Sequence, residues 1–158
     1  MMVPVEQPRC KKSLAMTVLM TPNMANFSGK VHGGTLLKML DEVAYACASR
    51  YAGTYVVTLS VDRVLFRDAI CVGELVSFEA TVNYTGRTSL EVGIAVYTEN
   101  IRDGSRRHTN SSYFTMVAVD ESGMPVPVPS LVPETDEERD RYDAAAARRA
   151  ALKAAFAD

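Results

Sequence analysis

The amino-acid sequence predicts an α+β fold in which one long helix lies against one face of an antiparallel sheet. Residues 33–52 have a helical pattern, whereas after residue 54 the apolar residues recur with a period of two. The predicted order is one strand, one helix and then four consecutive strands. This order differs from the alternation of strands and helices that builds a wound parallel sheet. With 158 residues, 47% of them hydrophobic and 23% charged, the chain has the size and composition of one globular domain.

The predicted first strand covers residues 12–20, which are apolar enough for a strand and end before Pro22. The long helix over 33–52 follows a turn-like segment. Gly53 stands where a helix commonly ends with a residue in the left-handed conformation, and glycine adopts that conformation without steric cost.

The four later strands are rich in β-branched residues and alternate apolar with polar positions. Gly86 and the pair Asp103-Gly104 mark the turns between them. In the first of the four, the alternation slips around Asp62 and Arg63, which predicts a β-bulge there. The predicted strands cover residues 54–66, 75–82, 88–99 and 107–119.

The C-terminal segment leaves the sheet through four prolines, which favour an extended chain. Thr135 and Glu138 then have the spacing of a capping box, which predicts a helix of roughly 136–155. Because this helix nearly lacks large apolar residues, we expect it to be peripheral or ordered by a partner subunit. The expected organisation is one domain over 12–133 and a helical tail over 134–158.

Asp41 is the residue of the long helix that most needs an explanation. On a helical wheel it falls between a polar stripe and the apolar face, with Leu37, Ala44 and Ala48 as neighbours. A carboxylate on such a helix is costly unless it is paired or used. It is either a structural group in a salt bridge or on a backbone amide, or a catalytic group that the small alanines leave approachable.

Elimination narrows the chemistry that the chain can perform. It contains no GxSxG, HExxH or Walker motif, and His32 and His108 are its only histidines, so we expect no metal site. Cys47 lies on the apolar helical face and is expected to be an inert thiol. A hydrolase built from these residues would combine a carboxylate, a polar residue that orients the reacting groups, and backbone amides. The amides of Gly33 and Gly34, at the positive end of the helix dipole, are candidates, although the glycines could serve only tight packing.

The charge distribution limits the partners and the compartment. The net charge of -2 gives no overall basic field for nucleic acid or an anionic membrane, and the longest apolar stretch, 33–52, carries charges and cannot span a bilayer. The N-terminus lacks a signal-peptide core, and three cysteines without CxxC spacing favour a reducing compartment, so we expect a cytoplasmic protein.

Several arginines stand at turns or strand ends. Each alone is expected to be a surface charge, but together they could bind a polyphosphate ligand: Arg63, Arg67, Arg87, Arg102, Arg106 and Arg107.

An ordered set of short motifs runs from Asn26 to Pro129, within a resemblance to known proteins that covers about residues 12–150. Its members are Asn26-x-x-Gly29, His32-Gly33-Gly34, Leu37-x-x-x-Asp41-Glu42, Val57-Thr58 with Val61-Asp62 and Phe66, Val72-Gly73-Glu74, Gly86-Arg87-Thr88-Ser89 with Glu91-Val92, Phe114-Thr115-Met116-Val117-Ala118 and Val126-Pro127-Val128-Pro129. Each motif alone is weak, but in this order the set is specific. The chain resembles the YciA-type acyl-CoA thioesterases, a branch of the hotdog-fold acyl-CoA hydrolases.

The resemblance implies a hotdog fold, a long helix wrapped by a five-stranded antiparallel sheet. It implies that two subunits pair side by side, that pairs assemble into a trimer of dimers, and that active sites lie at the dimer interface. The implied substrates are acyl-CoA thioesters, and the products are free CoA and a carboxylic acid. Coenzyme A is then part of the substrate, and no cofactor is expected.

The resemblance also assigns roles to individual residues. Asp41 would act as general base on water or as the nucleophile that attacks the thioester, and the sequence leaves both routes open. Asn26 would hold the water or the thioester across the interface, and the Gly33-Gly34 amides would stabilise the oxyanion. Expected contacts to the CoA moiety are Arg87, Thr88 and Ser89.

Two other functions use the same fold. A hotdog hydratase or dehydratase would need a histidine paired with a carboxylate, and the positions of His32 and His108 do not favour one. A non-catalytic acyl-CoA sensor would keep the pocket without the chemistry, and the presence of both Asp41 and Asn26 argues against it.

Overall fold

The computed structural model describes residues 11–157, so Cys10 lies outside the described residues. Strand β1 (Ser13–Leu19) is followed by a short 3-10 turn (Pro22–Met24) and helix α1 (Gly33–Ala52). The predicted long helix is confirmed residue for residue, and Gly53 ends it with φ 70° and an N–H that donates to the Ser49 carbonyl. The remaining elements are β2 (Tyr55–Asp62), β3 (Leu75–Thr85), β4 (Ser89–Glu99), β5 (Arg106–Val119) and α2 (Asp136–Ala155).

The five strands form one antiparallel sheet in the order β1-β3-β4-β5-β2, so β1 and β2 are its edges. Helix α1 packs against one face of this sheet, and every second residue of the inner strands is buried beneath it. The core is formed chiefly by Val76, Phe78, Val82, Val92, Ile94, Phe114 and Met116 from the sheet and by Leu36, Leu40, Val43 and Cys47 from α1. The predicted hotdog architecture is confirmed.

Two details of the expected packing differ from the structure. Ala44 and Ala48 are fully buried against the sheet, so the space beside Asp41 does not lie on their side of the helix as predicted. The bulge in β2 lies at Leu59, between the pairs that Thr58 and Ser60 make with β5, and not at Asp62 and Arg63. The slip in alternation at Arg63 has another cause: β2 has ended, and this residue adopts a positive φ of 58°.

Helix α2 packs on the face of the sheet opposite α1. Its first turn is capped as predicted, because the Glu138 N–H donates to Thr135 Oγ1 over 3.1 Å. Ala145 is its one buried residue, so the helix is peripheral, but it is already held within a single chain by polar contacts. The main contact is a two-pronged ion pair in which Arg148 donates to the buried Glu91 carboxylate over 2.7 and 3.0 Å.

Candidate active site

Asp41 and Thr58 form a hydrogen-bonded pair between α1 and β2. The Thr58 hydroxyl donates to Asp41 Oδ1 over 2.7 Å, and both side chains are exposed in the single chain. Among residues 11–157, Asp41 has neither an ion pair nor a backbone amide partner, so the structural interpretation of this carboxylate finds no support. The second carboxylate oxygen, Oδ2, accepts no hydrogen bond from the residues between 11 and 157.

Large apolar side chains on α1 and β2, the two elements that carry this pair, are also exposed. Leu37 and Tyr45 stand one helical turn before and after Asp41 on the same face of α1, and each is 40% exposed. On β2, an edge strand, the exposed fractions run from 40% to 58% at Tyr55, Val57, Leu59 and Val61. Exposed apolar side chains beside an unpaired strand edge are typical of an interface with another chain. We therefore expect the surface around Asp41 to form an interface with another chain.

Asn26 lies in the loop before α1, where its side chain is fixed by the loop backbone. Its Oδ1 accepts hydrogen bonds from the amides of Ser28 and Lys30 over 2.9 and 3.1 Å, and from the Ser28 hydroxyl over 2.8 Å. Because backbone N–H groups can only donate, they determine which end of the amide faces the loop. The opposite end, Nδ2, has no acceptor in the part of the chain that the structure describes. Asn26 thus presents a donor of fixed orientation.

The first turn of α1 is capped by His32. Its Nδ1 accepts from the Gly34 N–H over 2.9 Å, and its carbonyl accepts from the amides of Thr35 and Leu36. A Cβ on Gly34 would lie 3.2 Å from His32 Nδ1, so a side chain there would press on this cap. Of the two glycine amides expected to bind an oxyanion, that of Gly34 is engaged. Only that of Gly33 lacks an acceptor among the described residues.

The chain therefore carries two separate groups of polar residues. We call Asp41 with Thr58 the carboxylate half-site, and Asn26 with Gly33, which line one open cleft, the donor half-site. Gly33 precedes Asp41 by eight residues, or about 12 Å along the helix axis at 1.5 Å per residue. No hydrogen bond joins Asn26 to Asp41 within residues 11–157. One chain does not bring the two half-sites together.

The predicted CoA contacts lie at the turn between β3 and β4. Arg87 is exposed and Thr88 half-buried, whereas Ser89 is 6% exposed. The Arg87 carbonyl accepts from the Val128 amide and so holds the extended exit from the sheet, and the Thr88 carbonyl accepts from the Ala118 amide of β5. Arg87 and Thr88 are available to a ligand, and the Ser89 side chain is not in this conformation.

Thr58 is the site residue to which the sequence assigned no role. It belongs to the Val57-Thr58 motif, but its importance comes from a contact 17 residues distant across the α1–β2 connection. The available signal in the sequence was a hydroxyl-bearing residue within a strand of mostly apolar residues.

No group of three or more potential metal ligands is present in the described part of the chain, and no helix there is long and apolar enough to cross a membrane.

Residues 28–105 match the Thioesterase superfamily. The chain is 50% identical over 139 residues to the Helicobacter pylori protein VdlD, covering 88% of this chain and 79% of that one. A crystal structure of a hexameric acyl-CoA thioesterase superposes with a TM-score of 0.86 at 41% identity, covering 92% of this chain and 93% of the other. The chain belongs to the thioesterase superfamily. The predicted family, an acyl-CoA thioesterase of the hotdog fold, is confirmed.

The thioesterase is also similar to an acyl-CoA hydrolase from Staphylococcus aureus that was solved with butyryl-CoA and CoA. The TM-score is 0.82 at 34% identity, covering 90% of this chain and 87% of that one. Solved variants of that hydrolase have an asparagine, an aspartate or a threonine replaced by alanine, with intervals of 15 and 17 residues between them. Asn26, Asp41 and Thr58 have the same two intervals in this thioesterase.

Proposed function

We propose that this thioesterase hydrolyses acyl-CoA at a site composed by two subunits, where the carboxylate half-site of one faces the donor half-site of the other. The observation that carries the proposal is the Asp41–Thr58 pair, exposed on an apolar surface and remote from the donors of its own chain. The equal intervals between Asn26, Asp41, Thr58 and the three replaced residues of the S. aureus hydrolase support it. A second copy of the chain would supply the missing half.

The proposed chemistry needs one base and two donors. Asp41 either takes a proton from water as the water attacks the thioester carbon, or attacks that carbon itself and forms an anhydride that water then cleaves. In the first route the proton taken from water passes to the departing CoA thiolate as the C–S bond breaks. In the second route the C–S bond breaks when the anhydride forms, the CoA thiolate takes a proton from solvent, and water then cleaves the anhydride and restores the Asp41 carboxylate. Both routes release a carboxylic acid. The Thr58 hydroxyl holds one oxygen of Asp41, so that the other oxygen faces the reaction.

The donor half-site would stabilise the negative charge that develops on the thioester oxygen. Asn26 Nδ2 and the Gly33 amide are donors of fixed direction at the start of α1, where the helix dipole also favours an anion. Because Asn26 Oδ1 is held by its loop, its amide needs no reorientation when the substrate arrives. Such donors stabilise charge more than mobile water does.

The proposed assembly covers the apolar surface described above. Pairing of the exposed edge of β2 with a second copy would continue the sheet and bury Tyr55, Val57 and Leu59, which are 40% to 58% exposed in the single chain. We propose a dimer as the minimum and a trimer of dimers as the full assembly, since the similar thioesterase is hexameric. The cysteines of the described chain, Cys47 and Cys71, are free thiols, which fits the cytoplasm as the proposed location.

Complementation between two inactive variants tests the composite site. Asp41→Ala and Asn26→Ala should each form an oligomer with little activity, the first losing at least about a hundredfold in rate because a general base or nucleophile is gone. When the two are denatured, mixed and refolded, about half the dimers combine both chains, and each such dimer has one intact site. Activity should then recover to roughly a quarter of the wild-type value, as independent shared sites require.

The controls are each variant refolded alone and the wild type taken through the same procedure. Release of free thiol from butyryl-CoA is the readout, and it also separates an enzyme from an acyl-CoA sensor, which would bind without releasing thiol. Verified mixed dimers with no recovered activity would show that the two residues act within one chain. Near-normal turnover by a folded Asp41→Ala oligomer would remove Asp41 from the mechanism.

A further inference from the structure

Cys71 and Lys30 bring a thiol and an amine into contact beside the loop that fixes Asn26. The Lys30 ammonium donates to Cys71 Sγ over 3.3 Å. The two residues also face each other in an antiparallel bridge, and next to it the Val31 N–H donates to the Ile70 carbonyl over 2.9 Å. Both backbones are therefore held, and the contact between sulfur and nitrogen follows from the pairing of the two segments.

Cys71 differs from Cys47 in its surroundings. Cys47 is fully buried, its thiol faces the Lys12 carbonyl over 3.9 Å, and burial raises its pKa to about 11. Cys71 is only half-buried, and between residues 11 and 157 it is the one thiol with a lysine amine as its partner. Reactive cysteines are typically partly exposed and adjacent to a lysine or arginine. Cys71 meets both conditions.

Lys30 also differs from other lysines of the chain in its partner. Lys12 pairs with Glu138 over 3.5 Å and Lys38 with Glu42 over 4.0 Å, whereas the Nζ of Lys30 contacts sulfur. An acyl group on Cys71 Sγ would have its carbonyl carbon one bond from the sulfur, within reach of this amine. Nucleophiles held so close to their target react with effective molarities of up to about 10⁵–10⁸ M. The pair has the geometry for transfer of an acyl group from sulfur to nitrogen.

The pair lies on the segment to which an acyl donor comes in the proposed function. The Lys30 amide donates to Asn26 Oδ1 over 3.1 Å, and the Lys30 carbonyl accepts from the Asn26 amide over 2.6 Å. Asn26 is proposed to bind the oxygen of an acyl thioester. Acyl-CoA is then brought to this loop in every turnover.

We infer that Lys30 is a site of self-acylation, at which Cys71 takes the acyl group from acyl-CoA and passes it to the Lys30 amine. In the first step Cys71 Sγ attacks the thioester carbon, the C–S bond to CoA breaks, and the thiol proton passes to the CoA thiolate. In the second step Lys30, having released one proton to solvent, attacks the same carbon through its neutral amine. The bond to Cys71 Sγ breaks, the sulfur takes a proton from the attacking amine, and an amide remains on Lys30.

The two steps balance without any further reactant. Acyl-CoA and the Lys30 ammonium are consumed, free CoA, the Lys30 amide and one proton are formed, and the Cys71 thiol is restored. The inference takes its acyl donor from the proposed function, but neither step uses Asp41. Acylation removes the positive charge of Lys30, as acetylation does for any lysine.

The test follows butyrylation of the intact oligomer by butyryl-CoA, with peptide mass spectrometry as the readout. Asp41→Ala is the common background, because it should leave most of the butyryl-CoA unhydrolysed. Added to it are Cys71→Ser, which removes the thiol, Lys30→Arg, which keeps the charge but removes the amine nucleophile, and Lys38→Arg, the matched control. Oligomer size and thermal unfolding verify that each variant is folded. Neutral hydroxylamine releases a thioester but not an amide, and so distinguishes butyryl groups on Cys71 and Lys30.

We expect Lys30 to be butyrylated at least about tenfold faster than Lys38 in the same molecules, because its acyl transfer is intramolecular. Cys71→Ser should lower the rate at Lys30 to that at Lys38, and Lys38→Arg should leave Lys30 unchanged. Lys30→Arg should accumulate a hydroxylamine-sensitive butyryl group on Cys71.

Three results would overturn the inference: equal rates at Lys30 with and without the Cys71 thiol, a rate at Lys30 no higher than at Lys38, or a butyryl group that stays on Cys71 while Lys30 is present. Failure of the proposed function is seen separately. If Asp41→Ala still hydrolyses butyryl-CoA rapidly, Asp41 is not the catalytic group, and the same comparison is made with butyryl-CoA replenished during the incubation.

Discussion

Replacing Thr58 by valine isolates the contribution of its hydroxyl to catalysis. Valine keeps the shape and the strand preference of threonine, but it removes the donor that holds Asp41 Oδ1 at 2.7 Å. The hydroxyl's other neighbour, Met116 Sδ at 3.6 Å, is a weak acceptor, so its loss should matter little for folding. The effect should therefore appear in the rate.

The size of the effect follows from the type of hydrogen bond that is lost. A bond to a charged group contributes about 1.5–3 kcal/mol, and each 1.36 kcal/mol corresponds to tenfold in rate. If the bond acts by orienting Asp41 in the transition state, Thr58→Val should lower kcat by roughly 10- to 150-fold with little change in KM. Activity should remain above that of Asp41→Ala, because the carboxylate is still present.

The assay is steady-state release of free thiol from butyryl-CoA by oligomers whose size and thermal unfolding match the wild type. Thr58→Ser retains the hydroxyl and is the control; it should stay close to the wild type. A folded Thr58→Val enzyme with the kcat of Thr58→Ser would refute the reasoning, because the hydrogen bond would then be incidental to the reaction.

Three further predictions concern stability and reactivity. Arg148→Ala should lower the free energy of unfolding by about 3–5 kcal/mol, since it leaves the buried Glu91 unpaired; denaturant unfolding at fixed protomer concentration measures this, and a loss no larger than that of a surface substitution would contradict it. Burial acts to raise the pKa of Glu74, but hydrogen bonds from an arginine side chain and a backbone amide outweigh it and lower the pKa below its usual value of 4.5. A lowered pKa stabilises the fold above that pH, so stability should fall as the pH drops below about 4.5, and Glu74→Gln should flatten this acid limb. Burial raises the pKa of Cys47 to about 11, partly offset by a nearby positive charge, so iodoacetamide at neutral pH should modify Cys71 before Cys47; equal labelling of these two thiols in the native protein, mapped by mass spectrometry, would be inconsistent with this.

Local signals in the sequence were sufficient for most of the fold. The period of 3.6 residues and the glycine at the C-terminal end determined α1 to the residue, and the capping threonine located the start of α2. The strands were found from their period of two, with boundaries displaced by a few residues. The bulge at Leu59 was missed because its cause is the pairing of β2 with β5, which no local pattern records.

The candidate site was predictable only in part. Asp41 was found because a carboxylate on a mostly apolar helix requires an explanation, and Asn26 through a motif at known spacing. The Thr58–Asp41 bond joins two elements in space, and the cap that engages the Gly34 amide is made by His32, a residue type that rarely caps helices. Both depend on side-chain geometry and not on pattern. The catalytic roles of these residues stay predictions.

Because α2 is sparsely packed, we expect it to have a lower local stability than the sheet and α1. Only Ala145 of its 20 residues is buried, whereas seven residues of α1 are buried in the core. Opening of α2 would expose little apolar surface, so its amides should exchange with solvent through a local fluctuation, long before those of α1 and the inner strands. Residues 11–133 and the active-site surface would persist during such openings. The C-terminal helix is thus a segment that can change in length, sequence or partner among relatives while the catalytic layer remains folded.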